Sequence, residues 1–252
     1  MKYRSSGVLV CLLCLSIAGC AGNGTKEDDG SAYDPFEPLN RKVYKLNEAM
    51  DNVLLKPLAK GYRKVTPKPV RRGFANVFAN FTTPRSALNN FLQGKPKRGF
   101  NELGRFLFNS TLGIGGIFDV ASAGGMERYD ETFGETLAVW GVPEGPYLVL
   151  PIFGSRSMLD AAGFPVDFYT DINAHLKSSV RDKLYFFRLM DARARLLAAE
   201  NFIEKSGDPY IALRESYRQN REFKIHDGEP PDEELNEMLD DEMFDEFFED
   251  QE

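Results

Sequence analysis

Cysteine, histidine and tryptophan are scarce in this chain of 252 residues, which has three cysteines, two histidines and one tryptophan. Cys11 and Cys14 fall within an amino-terminal apolar run, so Cys20 is the one cysteine outside it and an internal disulfide of the remainder is excluded. No Cys/His cluster occurs, and the acidic stretches lack the glycine that a calcium loop requires. The sequence therefore predicts neither a metal site nor a cofactor.

Recognisable catalytic motifs are also missing. No G-x-S-x-G pattern occurs, and Gly154-Ser155-Arg156-Ser157 lacks the closing glycine of a nucleophile elbow. The glycine-rich segment Gly113-Ile114-Gly115-Gly116 has neither the Lys-Ser/Thr pair nor the preceding strand of a phosphate loop, so we interpret it as a helix terminus or hinge. The basic body contains no nucleic-acid-binding motif. We expect no enzyme; a hydrolase would have to use His175 or His226 as its base.

The amino-terminal apolar run, residues 8–18, is too short for a spanning helix, which needs about 17–25 residues. It follows Lys2 and Arg4 and closes on Ile17-Ala18-Gly19-Cys20, a pattern typical of a signal peptide with a lipobox. We predict cleavage before Cys20 and lipid on its thiol. The alternative is an ordinary secretory signal that ends at a chance cysteine. Ala21 stands where inner-membrane lipoproteins have aspartate, which favours the outer membrane.

Positive charge is absent after Lys224, whereas fourteen acidic residues lie between Asp227 and Glu252. Residues 20–226 contain 29 basic and 24 acidic residues, so a body of about +5 carries a tail of −14. We divide the chain into a signal peptide (1–19), a flexible tether (20–33), a helical domain (34–226) and an acidic tail (227–252) that we expect to be disordered.

Apolar residues at steps of three and four predict a mainly α-helical protein. Thr82-Thr83-Pro84 is expected to separate two helices, and Asp208 is expected to cap the last helix. Residues 133–154 are apolar but rich in glycine and proline, which suits neither a helix nor a regular strand. The predicted helices span residues 39–54, 70–81, 87–92, 100–112, 179–202 and 209–221.

The apolar faces of these helices are rich in phenylalanine, of which the chain has 20. Burial in a packed core is the ordinary explanation of such a stripe. The alternative places several helices in a bilayer face, with apolar side chains among the acyl chains and basic ones near the headgroups. Periodicity alone does not distinguish these two.

Six segments occur in an order that resembles the MlaA (VacJ) lipoprotein family and together cover about residues 34–223. Any one of them is weak, but several independent segments in family order are specific. The segments are DPFEPLNR (34–41), NFLQG (90–94), RFLFNSTLGIGG (105–116), FDVA (118–121), GPYLVLP (145–151) and SGDPY (206–210).

The resemblance implies a ring of amphipathic helices in the inner leaflet of the outer membrane, around a central channel. It further implies removal of misplaced phospholipids from the outer leaflet, which maintains lipid asymmetry. A trimeric outer-membrane porin and a soluble periplasmic lipid carrier are the implied protein partners. A lipoprotein phospholipase and a structural adaptor that only braces porins are the rival functions.

Two groups of site residues are expected on this basis. Arg105, Asn109 and Asp119 are placed near the channel or its supporting turns; alternatively, Asp119 only caps a helix and Arg105 only pairs with a carboxylate. The Gly/Pro-rich stretch 141–154 is the candidate gating hairpin, because irregular backbone at membrane depth is tolerated where it is buried or lines a water-filled space. Its residues are Gly141, Gly145, Pro146, Pro151 and Gly154.

The acidic tail carries an apolar repeat, with Leu235, Leu239, Met243 and Phe247 at every fourth position. We hypothesise that it folds as a helix on a groove of the periplasmic carrier. Its acids would steer the encounter and its apolar face would supply the contact. A merely solubilising tail is the alternative.

Overall fold

The protein is mainly helical in the computed structural model, which describes residues 33–197 and 207–228. Cys20, the signal peptide and the tail residues Leu235, Leu239, Met243 and Phe247 lie outside the described residues. None of the helices in these two ranges is both long and apolar enough to span a membrane. The helices are α1 (Glu37–Met50), α2 (Lys56–Val65), α3 (Lys68–Leu92), α4 (Pro96–Thr111), α5 (Val120–Ala123), α6 (Phe133–Val139), α7 (Met158–Thr170), α8 (Ser178–Leu196) and α9 (Pro209–Ile225).

A π-helical turn, Asp51–Leu55, joins α1 directly to α2. The N–H of Lys56 donates to the Asp51 carbonyl, five residues back, so the turn is one residue wider than an α-helical one. Pro57 follows in the first turn of α2, where a missing N–H is tolerated. The apolar stripe predicted over 39–54 therefore covers α1 and the π-helical turn.

Pro84 does not break the chain as predicted, because α3 runs through it. The hydroxyls of Thr82 and Thr83 both donate to the Ala79 carbonyl, at 2.9 and 3.0 Å, in the turn that precedes the proline. Such side-chain hydrogen bonds help a helix to accommodate proline where neighbouring elements pack around it. The two predicted helices, 70–81 and 87–92, are one helix.

The termini of α4 and α9 agree with the sequence. After α4, the N–H groups of Gly115 and Gly116 donate to the carbonyls of Ser110 and Asn109, so the predicted helix terminus at residues 113–116 is confirmed. Asp208 caps α9 by accepting hydrogen bonds from the backbone N–H groups at the start of that helix, as predicted.

Residues 133–154 are more regular than predicted. They contain α6, which begins with a capping box formed by Thr132 and Glu135, and strand β1 (Tyr147–Leu150). β1 pairs antiparallel with β2 (Gly154–Ser157), with Leu150 opposite Gly154. The prediction failed because most of the glycines and prolines fall between the elements or at the hairpin turn, while Gly134 is accommodated in the first turn of α6.

Helix α7 was not predicted, because glycine and proline interrupt its sequence at Gly163 and Pro165. Gly163 lies so close to α6 that an added Cβ would be 2.7 Å from the backbone nitrogen of Gly134. The two glycines therefore permit a close crossing of α6 and α7.

Burial in this protein is inverted relative to a water-soluble domain. Of the buried side chains in the described residues, twenty are polar or charged and only ten are apolar. The predicted apolar stripes instead face outward: Leu39 is 60 % exposed, Leu107 61 % and Leu112 70 %. For these helices, the packed-core interpretation of the stripes is wrong.

Candidate functional site: a polar interior within an apolar surface

The three residues predicted from two successive segments lie together at the junction of α4 and α5. Arg105 Nη2 donates to both carboxylate oxygens of Asp119, each at 3.1 Å, and to Ser122 Oγ at 3.0 Å. Asn109 Nδ2 donates to Asp119 Oδ1 at 2.9 Å. Asp119 caps α5, because its Oδ1 also accepts the N–H of Ser122 at 3.1 Å. Asp119 therefore caps a helix and Arg105 pairs with a carboxylate, as the alternative interpretation of these residues predicted.

The ionised form of Asp119 is the stable one in this cluster. Burial opposes its ionisation, but the hydrogen bonds from Ser122 and Asn109 and the charge of Arg105 outweigh burial and lower the pKa of the carboxyl group. Arg105 itself is buried, so its charge requires this partner. The three residues thus fix the turn that follows α4; a role beside a channel stays a prediction.

A second polar cluster joins α3 to the start of α6. Thr136 Oγ1 donates to Asn89 Oδ1 at 2.9 Å, and Asn90 Nδ2 donates to the Tyr129 carbonyl at 3.2 Å. Gln93 Nε2 donates to Glu131 Oε2 at 2.9 Å. The α3 residues of this cluster occupy the side of the helix opposite to its apolar stripe, so polar groups form the contact between the two elements.

Glu131 gives this cluster a pH dependence. Burial, assisted by the nearby Glu135 and opposed by the hydrogen bond from Gln93, raises the pKa of Glu131 from its ordinary value of 4.5 to about 7. The folded state then binds more protons than the unfolded state between these two pKa values, so the free energy of unfolding falls as pH rises through this window. We expect a loss of about 1–3 kcal/mol between pH 4.5 and 8.

Thermal unfolding of detergent-solubilised protein at pH 5 and pH 8 measures this loss. Glu131→Gln should remove most of the difference between the two pH values, whereas Glu48→Gln, at an exposed position on α1, should leave it unchanged. An unaltered pH dependence in Glu131→Gln would contradict the assignment.

The third cluster centres on Arg221 of α9, which is 6 % exposed. Its Nη1 donates to Asp160 Oδ1 at 2.9 Å, and its Nη2 donates to Glu144 Oε1 at 3.0 Å. Glu135 Oε1 lies 3.7 Å from Nη1 and also accepts from Lys224 Nζ at 3.2 Å. One guanidinium therefore ties α9 to α6, to α7 and to the segment before β1.

Asn40 of α1 holds the free edge of β1. Its Nδ2 donates to the Tyr147 carbonyl at 2.9 Å, and its Oδ1 accepts the N–H of Val149 at 2.9 Å. The side-chain amide thus replaces a neighbouring strand. Its Nδ2 also donates to Asp34 Oδ1 at 2.8 Å, and Asn40 is only 2 % exposed.

Asn47, two helical turns further along α1, repeats this pattern at the hairpin turn. Its Nδ2 donates to the Leu150 carbonyl at 3.0 Å, and its Oδ1 accepts the N–H of Ile152 at 2.9 Å. Ile152 has a positive φ of 69°, which is unfavourable for a β-branched residue. Ile152 and Phe153 are exposed, so the hairpin presents an apolar tip on a backbone that α1 anchors.

The predicted hairpin residues lie at its flanks and turn. Gly141, Gly145 and Gly154 all have positive φ, of 85°, 70° and 73°. Gly141 follows α6, Gly145 and Pro146 precede β1, and Pro151 and Gly154 flank the exposed tip. The structure thus brings all five into one loop system; no contact in it tests gating.

The serines and histidines that a hydrolase would need are engaged elsewhere. Ser157 Oγ accepts the N–H of Asp160 at 3.0 Å and so caps α7, and Ser155 Oγ lies 2.7 Å from Tyr147 Oη. His175 and His226 are exposed and hydrogen-bond to backbone carbonyls. Within residues 33–197 and 207–228, neither histidine hydrogen-bonds to a serine.

Residues 32–224 match the MlaA lipoprotein family, which accounts for most of the chain. The chain belongs to this family. It is 34 % identical to the intermembrane phospholipid transport system lipoprotein MlaA of Haemophilus influenzae over 231 residues, which cover 89 % of this chain and 92 % of that protein. It is also 34 % identical to the protein of the same name from Escherichia coli, over 91 % of each chain.

A solved structure on the structural basis for maintenance of bacterial outer membrane lipid asymmetry is also similar. Its chain superposes with a TM-score of 0.70 at 34 % identity, covering 76 % of this chain and 98 % of its own length. The mainly helical fold expected for the MlaA family is therefore confirmed. The family match contains all three polar clusters and the hairpin, and it ends before the acidic tail.

The residues of the Arg105 cluster in this MlaA family member were predicted from the sequence, whereas Arg221 and Asn40 were not. The Asn40–Tyr147 hydrogen bond joins residues 107 positions apart, so no local pattern indicates it. For Arg221, a sequence signal was its position one helical turn after Tyr217 on α9. The structure shows why the two belong together, since Tyr217 Oη also donates to Asp160. Burial raises the pKa of Tyr217 and favours its neutral, donating form.

Proposed function

We propose that this lipoprotein removes misplaced phospholipids from the outer leaflet of the outer membrane and passes them to a periplasmic carrier, thereby maintaining lipid asymmetry. The observation that carries the proposal is the inverted burial, with a polar interior inside an apolar surface. Membership of the MlaA family supports it, because relatives of 34 % identity are named as intermembrane phospholipid transport lipoproteins.

The inverted burial suits a protein whose surroundings are acyl chains. Outward-facing leucine and phenylalanine side chains on α1, α3 and α4 gain free energy in the hydrocarbon of one leaflet, while the helices satisfy their own backbone hydrogen bonds. Lipid on Cys20 would add a permanent anchor, since each buried methylene contributes about 0.8 kcal/mol. The proposed location is the inner leaflet of the outer membrane.

A phospholipid that leaves the outer leaflet needs a polar path for its headgroup, because a charged group costs several kcal/mol or more in hydrocarbon. A ring of helices around a central channel would supply that path, with Arg105, Asn109 and Asp119 supporting its turns. Lipids that are misplaced asymmetrically can move downhill, so the proposed transport needs no nucleotide.

The hairpin is the proposed gate of this path. Its tip, Ile152 and Phe153, is apolar and exposed, and glycines with positive φ flank it. Gly141 and Gly145 are the proposed hinges, since glycine tolerates the backbone changes that such a motion needs. Asn40 anchors β1 beyond these hinges, so motion of the hairpin would require its two hydrogen bonds to open.

Labelling of outer-leaflet phospholipid in intact cells tests the function. A strain that lacks this protein should show increased labelling by a membrane-impermeant amine reagent, and the intact gene should restore the low level. Cys20→Ala should leave an uncleaved precursor and fail to restore it. Normal asymmetry in the deletion strain would favour the porin-bracing adaptor, and release of fatty acid from vesicles by purified protein would favour the phospholipase.

The proposed protein partners are an outer-membrane porin trimer, which would hold the ring in place, and the periplasmic carrier, which would take the tail. Deleting residues 232–252 should weaken carrier binding by at least about tenfold, more at low salt than at high salt, because the tail supplies both charge and apolar contact. Surface plasmon resonance with detergent-solubilised protein measures this. Unchanged affinity after charging both Leu239 and Phe247 would leave the tail with a solubilising role only.

A further inference from the structure

A basic cleft lies at the bend between α2 and α3, away from the three polar clusters. Its volume is about 620 Å³, and Ala194 of α8 closes one side. Four cationic side chains line it: Arg63, Lys64, Lys68 and Arg71. No carboxylate is among the described residues that form its walls.

These four charges lack counterions in the part of the chain that the structure describes. Arg71 Nε is shielded from solvent without any hydrogen-bond partner there. Asp191, one helical turn before Ala194, is engaged elsewhere: it accepts from Tyr62 Oη at 3.3 Å and pairs with Arg195 at 2.7 Å. Clustered like charges repel one another, so an anion bound among them would relieve an existing electrostatic cost.

The amino terminus of α3 points to the same ligand. This helix of 25 residues begins at Lys68 after Pro67, with no side-chain cap and no acidic residue in its first turn. The first N–H groups of a helix have no partner within it, and the helix dipole favours negative charge at this end. An anion beside this end would therefore complement both the helix dipole and the charge of Lys68.

The surroundings of the cleft distinguish a lipid from a free ion. Val65, which lines the cleft, is 78 % exposed, and Val70 and Phe74 are exposed on the first turns of α3. Cationic groups beside outward-facing apolar side chains match the headgroup level of a bilayer, where phosphate and acyl chain are found together.

We propose that this cleft binds the phosphate of an anionic glycerophospholipid, with Lys68 and Arg71 as the principal ligands. The inference rests on the proposed placement of the helices in one leaflet. Bound lipid would fix the depth of the α2–α3 bend at the membrane surface. Arginine offers the paired donors that phosphate accepts, and lysine adds a point charge.

Titration of mature, detergent-solubilised protein with a fluorescent phosphatidylglycerol tests the cleft. Lys68→Gln with Arg71→Gln should raise the dissociation constant by about tenfold or more, because both remove charge-assisted hydrogen bonds. Lys42→Gln with Lys45→Gln removes the same charge from exposed positions on α1 and should change it by less than about twofold. The thermal unfolding midpoint of the cleft variant should not fall, since the substitutions remove repulsion.

Inorganic phosphate is the competing probe. Displacement of the lipid by inorganic phosphate at equal concentration would overturn the lipid assignment in favour of a free-anion site. If both double variants weakened lipid binding equally, the cleft would not be the lipid site. This test is separable from that of the proposed function. Normal lipid asymmetry in the deletion strain would refute the transport role. The cleft would still stand as a lipid site if only the cleft variant lost lipid binding.

Discussion

Arg221→Met should lower the free energy of unfolding by about 3–5 kcal/mol, the largest effect that we expect from any single substitution in the described residues. Methionine fills a similar volume but leaves Glu144, Asp160 and Glu135 without the guanidinium that neutralises them. Glu135 would keep Lys224, whereas Asp160 and the partly exposed Glu144 would lose their main partner beside it. In a chain of this size, the melting temperature should fall by about 6–20 °C.

Thermal unfolding in detergent measures this effect, and Arg72→Met is the matched control. Arg72 lies on the exposed side of α3, so its substitution should change the unfolding free energy by no more than about 0.5 kcal/mol. Lowering the pH should partly rescue Arg221→Met, because protonation removes the repulsion between the carboxylates. If Arg221→Met were as stable as Arg72→Met at neutral pH, the ion pairs of Arg221 would not be what stabilises this cluster.

Asn40→Ala should destabilise the protein by about 2–4 kcal/mol and loosen the base of the hairpin. The substitution leaves the Tyr147 carbonyl and the Val149 N–H without partners where water does not reach them, and each such buried group costs about 1–3 kcal/mol. Hydrogen exchange at the Val149 amide should become faster, because this N–H loses its acceptor.

Asn47→Ala removes the corresponding pair of hydrogen bonds at the hairpin turn and is the control for the effect of burial. Asn47 is only half-buried, so water can replace its amide, and we expect a loss of about 0.5–1.5 kcal/mol. Exchange should then be faster at Ile152 and unchanged at Val149. Equal losses of stability in both variants would show that burial does not set the strength of this clamp.

Apolar periodicity located most of the helices but not the direction in which they face. Leu39 and Leu107 lie at the spacing of a core stripe, yet both point outward, because the helical period is the same whether the apolar side faces inward or outward. The buried face of α3 is instead polar, with Asn89 and Asn90 in its contacts. Only tertiary structure reveals this inversion.

The errors at Pro84 and in residues 133–154 have different physical origins. The rules that treat proline and glycine as breakers describe a backbone that water can solvate, whereas Pro84 lies in a helix packed against α4 with threonine hydroxyls nearby. In the hairpin region, the short elements simply fit between the breakers. The Arg105 cluster was predictable because its members lie within fifteen residues; Arg221 and Asn40 depend on contacts that the fold alone creates.

The inverted burial also sets how such a protein can diverge over time. If the apolar surface faces acyl chains, as proposed, an outward-facing leucine can be replaced by valine, isoleucine or phenylalanine at little cost, because hydrocarbon is a fluid without fixed shape. The interior tolerates fewer substitutions, because each buried donor is paired with a particular acceptor and a single substitution leaves that partner without a hydrogen bond. Relatives should therefore keep hydrophobicity outside and chemical identity inside, the reverse of the usual pattern, in which surfaces exchange polar residues and cores exchange apolar ones.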